Sequence, residues 1–337
     1  MLKKFLVSFL ITVVLILGIF TSSSYLKTTA ASGAINVADI VLPEPDIIPT
    51  PIPDPNDKYF SDQEKYFVAD DYSYMSYSSK NLSVEITRCV DKERTLRYYV
   101  ADVRTRNGES FFSGYPNHGT PNMDFDSRRR LNVIARQYSA VLAINGDFYI
   151  DNKNNTLGII IREGEIKVEK NKADTLAFMP DGSLKVYSPG EVTGQELLGM
   201  GVNMTYSFGP TLVKDGQMTE GLDRHRLRSR NPRTGIGYID KDHYILIVVE
   251  GRRPGISVGV TLTEFAELFL EQGATLAYNL DGGISSNMCF LGNPLAYHPV
   301  DEIADHCDGR SLPDMIYIGV SDLCADEDDE IIRYGQS

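Results

Sequence analysis

The sequence predicts an α+β fold: one large domain built on a mixed β-sheet with a few packed helices. Three observations point there. Ten short apolar or alternating runs read as strands, against only two stretches with helical periodicity. From Leu82 to Val320 these runs follow one another continuously, punctuated by Gly, Asn and Asp, with no internal repeat. At 337 residues and 42% hydrophobic, the chain is long enough to bury a substantial core.

Lys3-Lys4 precede an apolar run from Phe5 to Phe20, the pattern of an export signal whose positive flank stays inside. Residues 1–26 are therefore assigned to a membrane-targeting segment, read as an uncleaved anchor. The alternative is signal cleavage near Thr28-Thr29-Ala30-Ala31-Ser32 and secretion. Either way, the rest of the chain is expected outside the cytoplasm. Residues 27–80 form a linker, with Pro43-Glu44-Pro45 and Pro51-Ile52-Pro53-Asp54-Pro55 favouring a semi-rigid extended spacer. Its last part, Tyr59–Lys80, is rich in Tyr and Ser and reads equally as linker or first strand. The domain proper spans 81–321, and an acidic tail, read as a solvated end, closes the chain at 322–337.

Within the domain the expected strands are Leu82–Val90, Arg97–Val103, Val141–Ile144, Gly158–Arg162, Thr175–Phe178, Leu184–Val186, Thr234–Ile239, Tyr244–Val249, Leu276–Asn279 and Met315–Gly319. Ser127 is placed as the cap of a helix through Tyr138, with Leu131, Ile134 and Tyr138 on one stripe. Thr263 is placed as the cap of Glu264–Gln272, which stops at Gly273. Four cysteines, Cys89, Cys289, Cys307 and Cys324, form no CxxC pair, so zinc-ribbon and thioredoxin-like readings have no support. Cys289 and Cys307 flank a Gly/Pro-containing segment; a bridge there and free buried thiols stand as alternatives.

The net charge is −13, and because residues 1–30 hold three lysines and no acid, the remainder carries −16. Nucleic-acid binding by counterion release needs a broad basic face and is excluded as a main function. No GxxxxGK[ST], HExxH or GxSxG occurs, which removes support for nucleotide hydrolysis, zincin chemistry and a nucleophile elbow. Four polar clusters remain, each at the end of an apolar strand, where a rigid scaffold commonly mounts functional loops. Asn145-Gly146-Asp147 follows Ala143-Ile144 and offers an amide and a carboxylate, or a simple hairpin turn. The stretch from Asp223 to Gly235 holds five arginines. Arg224, Arg226, Arg228 and Arg230 alternate like the wet side of a strand, whereas Arg233 and Thr234 enter the next strand. Glu250-Gly251-Arg252-Arg253 ends the apolar run Tyr244–Val249, as a site edge or an exposed turn. Asp281-Gly282-Gly283-Ile284-Ser285-Ser286 sets a carboxylate beside a small-residue loop whose N–H groups can approach an anion.

In this order, Ala143–Tyr149, Ser207–Gly216, Asn231–Gly237, Glu250–Gly259, Thr261–Leu268 and Leu280–Ser286 resemble the phosphodiester glycosidase family over roughly residues 80–320. Glu250 stands where that pattern more often has Asp, and Ile284 where Gly is common. The resemblance implies a catalytic domain that hydrolyses a sugar-1-phosphodiester or related glycosidic bond on a cell-surface or extracellular glycoconjugate. It implies Asp281 and Asp147 as catalytic carboxylates, Glu250 as a third, and Asn145 as the group orienting the sugar. Phosphate would be held by Arg233, Thr234, Arg252, Gly282, Gly283, Ser285, Ser286 and Arg310. The sequence requires no cofactor; it leaves room for a divalent cation and names no metal ligands. The expected partner is a phosphorylated glycan, with membrane contact through the N-terminal segment only. The rival readings are a surface polysaccharide-binding module without catalysis, and a role in polysaccharide assembly.

Overall fold

The computed structural model describes residues 55–118, 128–147, 158–170, 172–296 and 309–332. The N-terminal targeting segment and the spacer up to residue 54 lie outside them, as do Ser127, Phe148, Tyr149 and Cys307. Among the described residues, no helix is long and apolar enough to cross a membrane.

The strands in chain order are β1 (Lys65–Val68), β2 (Tyr74–Ser78), β3 (Leu82–Asp91), β4 (Leu96–Thr105), β5 (Phe111–Gly114), β6 (Ala140–Asn145), β7 (Ile159–Arg162), β8 (Glu165–Glu169), β9 (Thr175–Phe178) and β10 (Leu184–Tyr187). They continue as β11 (Thr205–Tyr206), β12 (Thr211–Lys214), β13 (Gln217–Met218), β14 (Arg233–Asp240), β15 (His243–Val249), β16 (Leu276–Asn279), β17 (Met288–Phe290), β18 (Asn293–Pro294) and β19 (Met315–Val320). The helices are α1 (Leu131–Gln137), α2 (Gly194–Gly199) and α3 (Leu262–Glu271). All ten expected strands are present, with ends shifted by at most two residues.

A nine-stranded sheet of order β1-β2-β3-β4-β15-β14-β16-β12-β13 faces a five-stranded sheet of order β18-β17-β6-β19-β5. Among the described residues their strand pairs all run antiparallel, where a mixed sheet was expected. Smaller sheets, β10-β9-β11 and β7-β8, complete the domain.

The period-two rule explains the layering. Along β15, Tyr244, Leu246 and Val248 face the core shared with Leu142, Ile144 and Ile316 of the five-stranded sheet. Ile245, Ile247 and Val249 face the opposite side, onto Leu262, Phe265, Ala266 and Phe269 of α3. Burial of each such side chain is worth about 1.5–3 kcal/mol before entropy is counted. Similarly, Ala140, Ala143, Met315 and Tyr317 turn outward from the five-stranded sheet onto Leu131, Ile134 and Ala135 of α1. The result is helix, sheet, sheet, helix, an α+β arrangement with buried central strands.

Several boundaries differ from expectation. β1 and β2 add to the edge of the large sheet, with Met75 and Tyr77 buried, so the ordered domain begins before residue 81. α3 is capped by Thr261 rather than Thr263. The Thr261 hydroxyl accepts from the Glu264 N–H at 3.2 Å, and the Glu264 carboxylate accepts from the Thr261 N–H at 2.8 Å, a capping box that only this spacing closes. α1 starts after Arg130, which makes no side-chain cap bond. The tail is not simply a solvated end: the buried Arg136 of α1 donates to the carbonyls of Asp326 at 2.8 Å and Asp329 at 2.6 Å. Cys89 and Cys324 are free thiols, and Cys289 is buried in β17.

Candidate functional site

The two sheets meet at Asn145. The last residue of β6, it is 1% exposed, and its side chain reaches three segments. Its Oδ1 accepts from the Thr234 hydroxyl at 2.7 Å and the Asn287 N–H at 3.1 Å, while Nδ2 donates to the Asp281 carbonyl at 2.8 Å. One amide thus ties β6 to β14 and to both ends of the Asp281–Asn287 loop. A buried amide used this fully acts as a brace. The Asp281 N–H adds a bond to the Gly146 carbonyl at 3.3 Å.

Asp281 leaves β16 one residue after the buried Leu280 and is itself 6% exposed. Its Oδ2 accepts from Arg310 Nη2 at 2.7 Å, and its Oδ1 from the Gly282 N–H at 2.9 Å. Burial pushes this carboxyl above the usual range, and the Arg310 charge opposes that rise. Ser285 sits close enough to lower it further, yet its buried hydroxyl makes no hydrogen bond of ordinary geometry. The Ser286 hydroxyl and Asn279 Oδ1 are also buried without partners. Such groups are costly unless something else satisfies them, so they mark where a ligand would bond. Gly283 has φ +64°, and a Cβ there would fall 3.1 Å from Arg252 Nη2, so the exposed Arg252 guanidinium lies over the glycine loop. Arg252 also donates to Asn231 Oδ1 at 2.9 Å.

A second focus lies two residues beyond Asn145. Asp147 is buried, accepts from the Ser207 N–H at 3.0 and 3.2 Å, and from Arg162 Nη2 at 3.1 Å. The same Arg162 nitrogen donates to Asp314 Oδ2 at 2.7 Å, and Asp314 Oδ1 accepts from the Asp147 N–H at 3.0 Å. Two buried carboxylates share one guanidinium, so burial, with Asp314 adding to it, raises the Asp147 carboxyl to about 7 although Arg162 opposes this. Gly146 is required by this crowding: a Cβ would come within 2.4 Å of Asp314 Oδ1.

The structure therefore gathers Asn145, Asp147, Thr234, Asp281, Gly282, Gly283, Ser285, Ser286, Arg252 and Arg310 around the junction of β6, β14 and β16. Arg233 is a correction. Thr234 faces the junction, so its neighbour on β14 faces the other way, and Arg233 Nη2 donates to the carbonyls of Leu227 at 2.5 Å and Ser229 at 2.7 Å. Burial lowers its pKa to about 10, and it braces a loop rather than meeting phosphate. Residues 219–230 form turns instead of a strand, though Arg226 and Arg228 are exposed as expected. Glu250 is 1% exposed and pairs with Arg253 at 2.7 Å in the loop after β15. Sequence reasoning missed Arg162 and Asp314. Their signals were present: a charge ending the apolar Ile159–Ile161, and an acid just before Met315–Gly319.

Among the described residues, no three His, Cys, Asp or Glu side chains converge as a metal-binding group. The buried carboxylates Asp147 and Asp314 already enclose the Arg162 cation.

The sequence profile of the phosphodiester glycosidase family matches residues 138–319, a span that includes both foci. The chain belongs to the phosphodiester glycosidase family. This places the domain among hydrolases. A 206-residue stretch is 30% identical to the SPbeta prophage-derived uncharacterized protein YomE of Bacillus subtilis, covering 58% of this chain and 30% of that protein. The chain thus spans under a third of that relative's length. The catalytic domain of zebrafish N-acetylglucosamine-1-phosphodiester alpha-N-acetylglucosaminidase, auto-inhibited by its pro-peptide, has the same fold. The TM-score is 0.58 at 20% identity, over 77% of this chain and 88% of that one. A hypothetical protein from Synechocystis aligns with a TM-score of 0.53 at 16% identity, over 72% of this chain and 62% of that one.

Proposed function

We propose that this phosphodiester glycosidase domain hydrolyses a sugar-1-phosphodiester on an extracellular or cell-surface glycoconjugate, with Asp281 at the reacting sugar. The observation that carries the reading is Asp281 itself. It is a buried carboxylate on a rigid strand end, held by Arg310 and edged by the buried Ser285 and Ser286 hydroxyls, with Arg252 across the glycine loop. Cleaving the anomeric C–O bond builds positive charge on the sugar, which a fixed carboxylate stabilises. The departing group is a phosphate, whose second pKa near 6 lets it leave without a protonating acid. What it needs is cationic donors, and Arg252 and Arg310 supply planar forks suited to its oxygens. Asn145 holds the reacting loop in position, whereas Asp147, expected as a second catalytic carboxylate, is taken up by Arg162 and the Ser207 N–H. Glu250, expected as a third catalytic carboxylate, is assigned instead to supporting Arg253.

The test is turnover of a panel of sugar-1-phosphodiesters by the purified chain, with and without chelator. Hydrolysis of at least one member is expected, with Arg252→Ala raising KM more than it lowers kcat. No turnover across sugars of both anomeric configurations would overturn the reading in favour of a binding module. A drop with chelator would add a cation, completed by phosphate oxygens, to the scheme.

The same reading gives the enzyme an extracytoplasmic address, held at the membrane by residues 1–26, because a lysine-flanked apolar run leaves its positive end inside. Protease added to intact cells is expected to remove the domain. Full protection would place it in the cytoplasm and exclude a surface glycan as substrate.

A further inference from the structure

A cavity of about 740 Å³ runs beside the edge strand β5, separate from the Asp281 loop. That volume is within the range of about 300–1,000 Å³ found for small-molecule sites. One wall is a ladder of rings. Phe112 lies 5.6 Å from Tyr317, and Tyr317 lies 5.3 Å from Tyr138, centroid to centroid. Phe112 is 47% exposed, unusual for a phenylalanine, and its ring is the outermost of the three. Tyr115 forms another part of the wall, with its hydroxyl buried beside Ser113. The remaining lining carries four carboxylates, Glu109, Glu163, Asp181 and Asp242, against one cation, Lys241, among the described residues.

We infer that this cavity is a second glycan site, which takes a sugar chain free of acidic groups through its stacked rings and carboxylate rim. Flat aromatic faces fit the apolar C–H faces of a pyranose, while the rim carboxylates bond its hydroxyls. The excess of acids repels phosphate and uronate, so this site cannot be another phosphate pocket. The cavity also lies close to the buried ion network. Ser113 in its wall bonds the Tyr206 hydroxyl at 2.7 Å, and the Tyr206 ring carries the Arg162 guanidinium 4.0 Å from its centroid. The site stands without the hydrolase reading, because it uses none of Asp281, Arg252 or Arg310.

Calorimetric titration of the full chain with three uncharged tetrasaccharides (of glucose, mannose and N-acetylglucosamine) and with tetragalacturonate tests it. At least one uncharged chain is expected to bind while the acidic one does not. Phe112→Ala is expected to weaken that binding about tenfold, the size of one lost aromatic contact, with Phe112→Tyr restoring it. Phe112 is half-exposed on an edge strand, so its removal is expected to leave the fold intact, which a thermal melt checks. Asp281→Asn is expected to leave this binding unchanged even if it abolishes turnover, so the two proposals fail separately. No binding of any uncharged chain, equal binding of tetragalacturonate, or indifference to Phe112→Ala would overturn the inference.

Discussion

Asp281→Asn is expected to lower turnover of a responsive sugar phosphodiester by at least about 100-fold, the low end for loss of an acid–base or charge-stabilising group. Asparagine keeps the shape but has a single acceptor oxygen, so it can keep the Gly282 N–H bond or the Arg310 bond, which fall on different carboxylate oxygens, and not both. What it loses is the negative charge and the capacity to take a proton. The fold is expected to survive, because the main-chain anchor of this residue is its carbonyl, held by Asn145, and that is untouched. The pH profile separates a reacting group from a supporting one. Burial raises the Asp281 carboxyl, so wild-type activity is expected to fall on the acid side at a pH above the ordinary carboxylate range. The residual activity of Asp281→Asn is expected to lack that limb. Full activity in a soluble, folded Asp281→Asn protein would remove Asp281 from the reaction.

Arg162→Met is expected to cost roughly 3–5 kcal/mol of stability near neutral pH, the penalty for removing one partner from a buried ion network. Methionine fills much of the volume over the Tyr206 ring, but Asp147 and Asp314 then face each other without a cation. The cost is expected to depend on pH in a defined direction. The folded-state pKa of Asp147 is raised to about 7, above about 3.9 in the unfolded chain. Its contribution to stability is therefore complete below about pH 4 and is lost as pH rises through 7. Without Arg162 the carboxyl rises further, so the penalty grows from pH 5 to pH 8. Denaturant unfolding of both proteins across that range measures it. A penalty under about 1 kcal/mol, or one that shrinks as pH rises, would show that Arg162 is not the cation these carboxylates depend on.

The strands were legible because their burial patterns are local. β15 reads as Tyr-Ile-Leu-Ile-Val-Val, and only a strand buried on both faces accommodates that run. The ends of helices were harder to place. Thr261 and Thr263 are the same residue type two positions apart, and the choice falls to Thr261 because Glu264 lies three residues after it. β1 and β2 were obscured by their shortness and by the Tyr- and Ser-rich run they lie in, since an edge hairpin of the large sheet buries few side chains.

The candidate site was legible where a polar group ends an apolar run, and illegible where facing decides. Asn145, Asp147 and Asp281 were visible because a carboxylate or amide at a buried strand end has few structural reasons to be there. Arg233 and Thr234 are adjacent in sequence, and nothing local tells which of them looks into the junction. The register Arg233↔Val249 on β15 puts the arginine on the α3 side, where only carbonyls were available to it. Asp314 and Arg162 are 152 residues apart, and their partnership with Asp147 exists only once the two sheets close.

The sequence by itself determined the α+β class, ten of the strands and the set of polar strand ends that mark this family. Those depend on periodicity and on residue type, which are properties of short segments. Which arginine braces a loop and which lies over the glycine loop was decided by the tertiary structure alone, as was the sharing of one cation by Asp147 and Asp314. Both depend on sheet register and burial, and a guanidinium takes its role from the acceptors that folding brings to it.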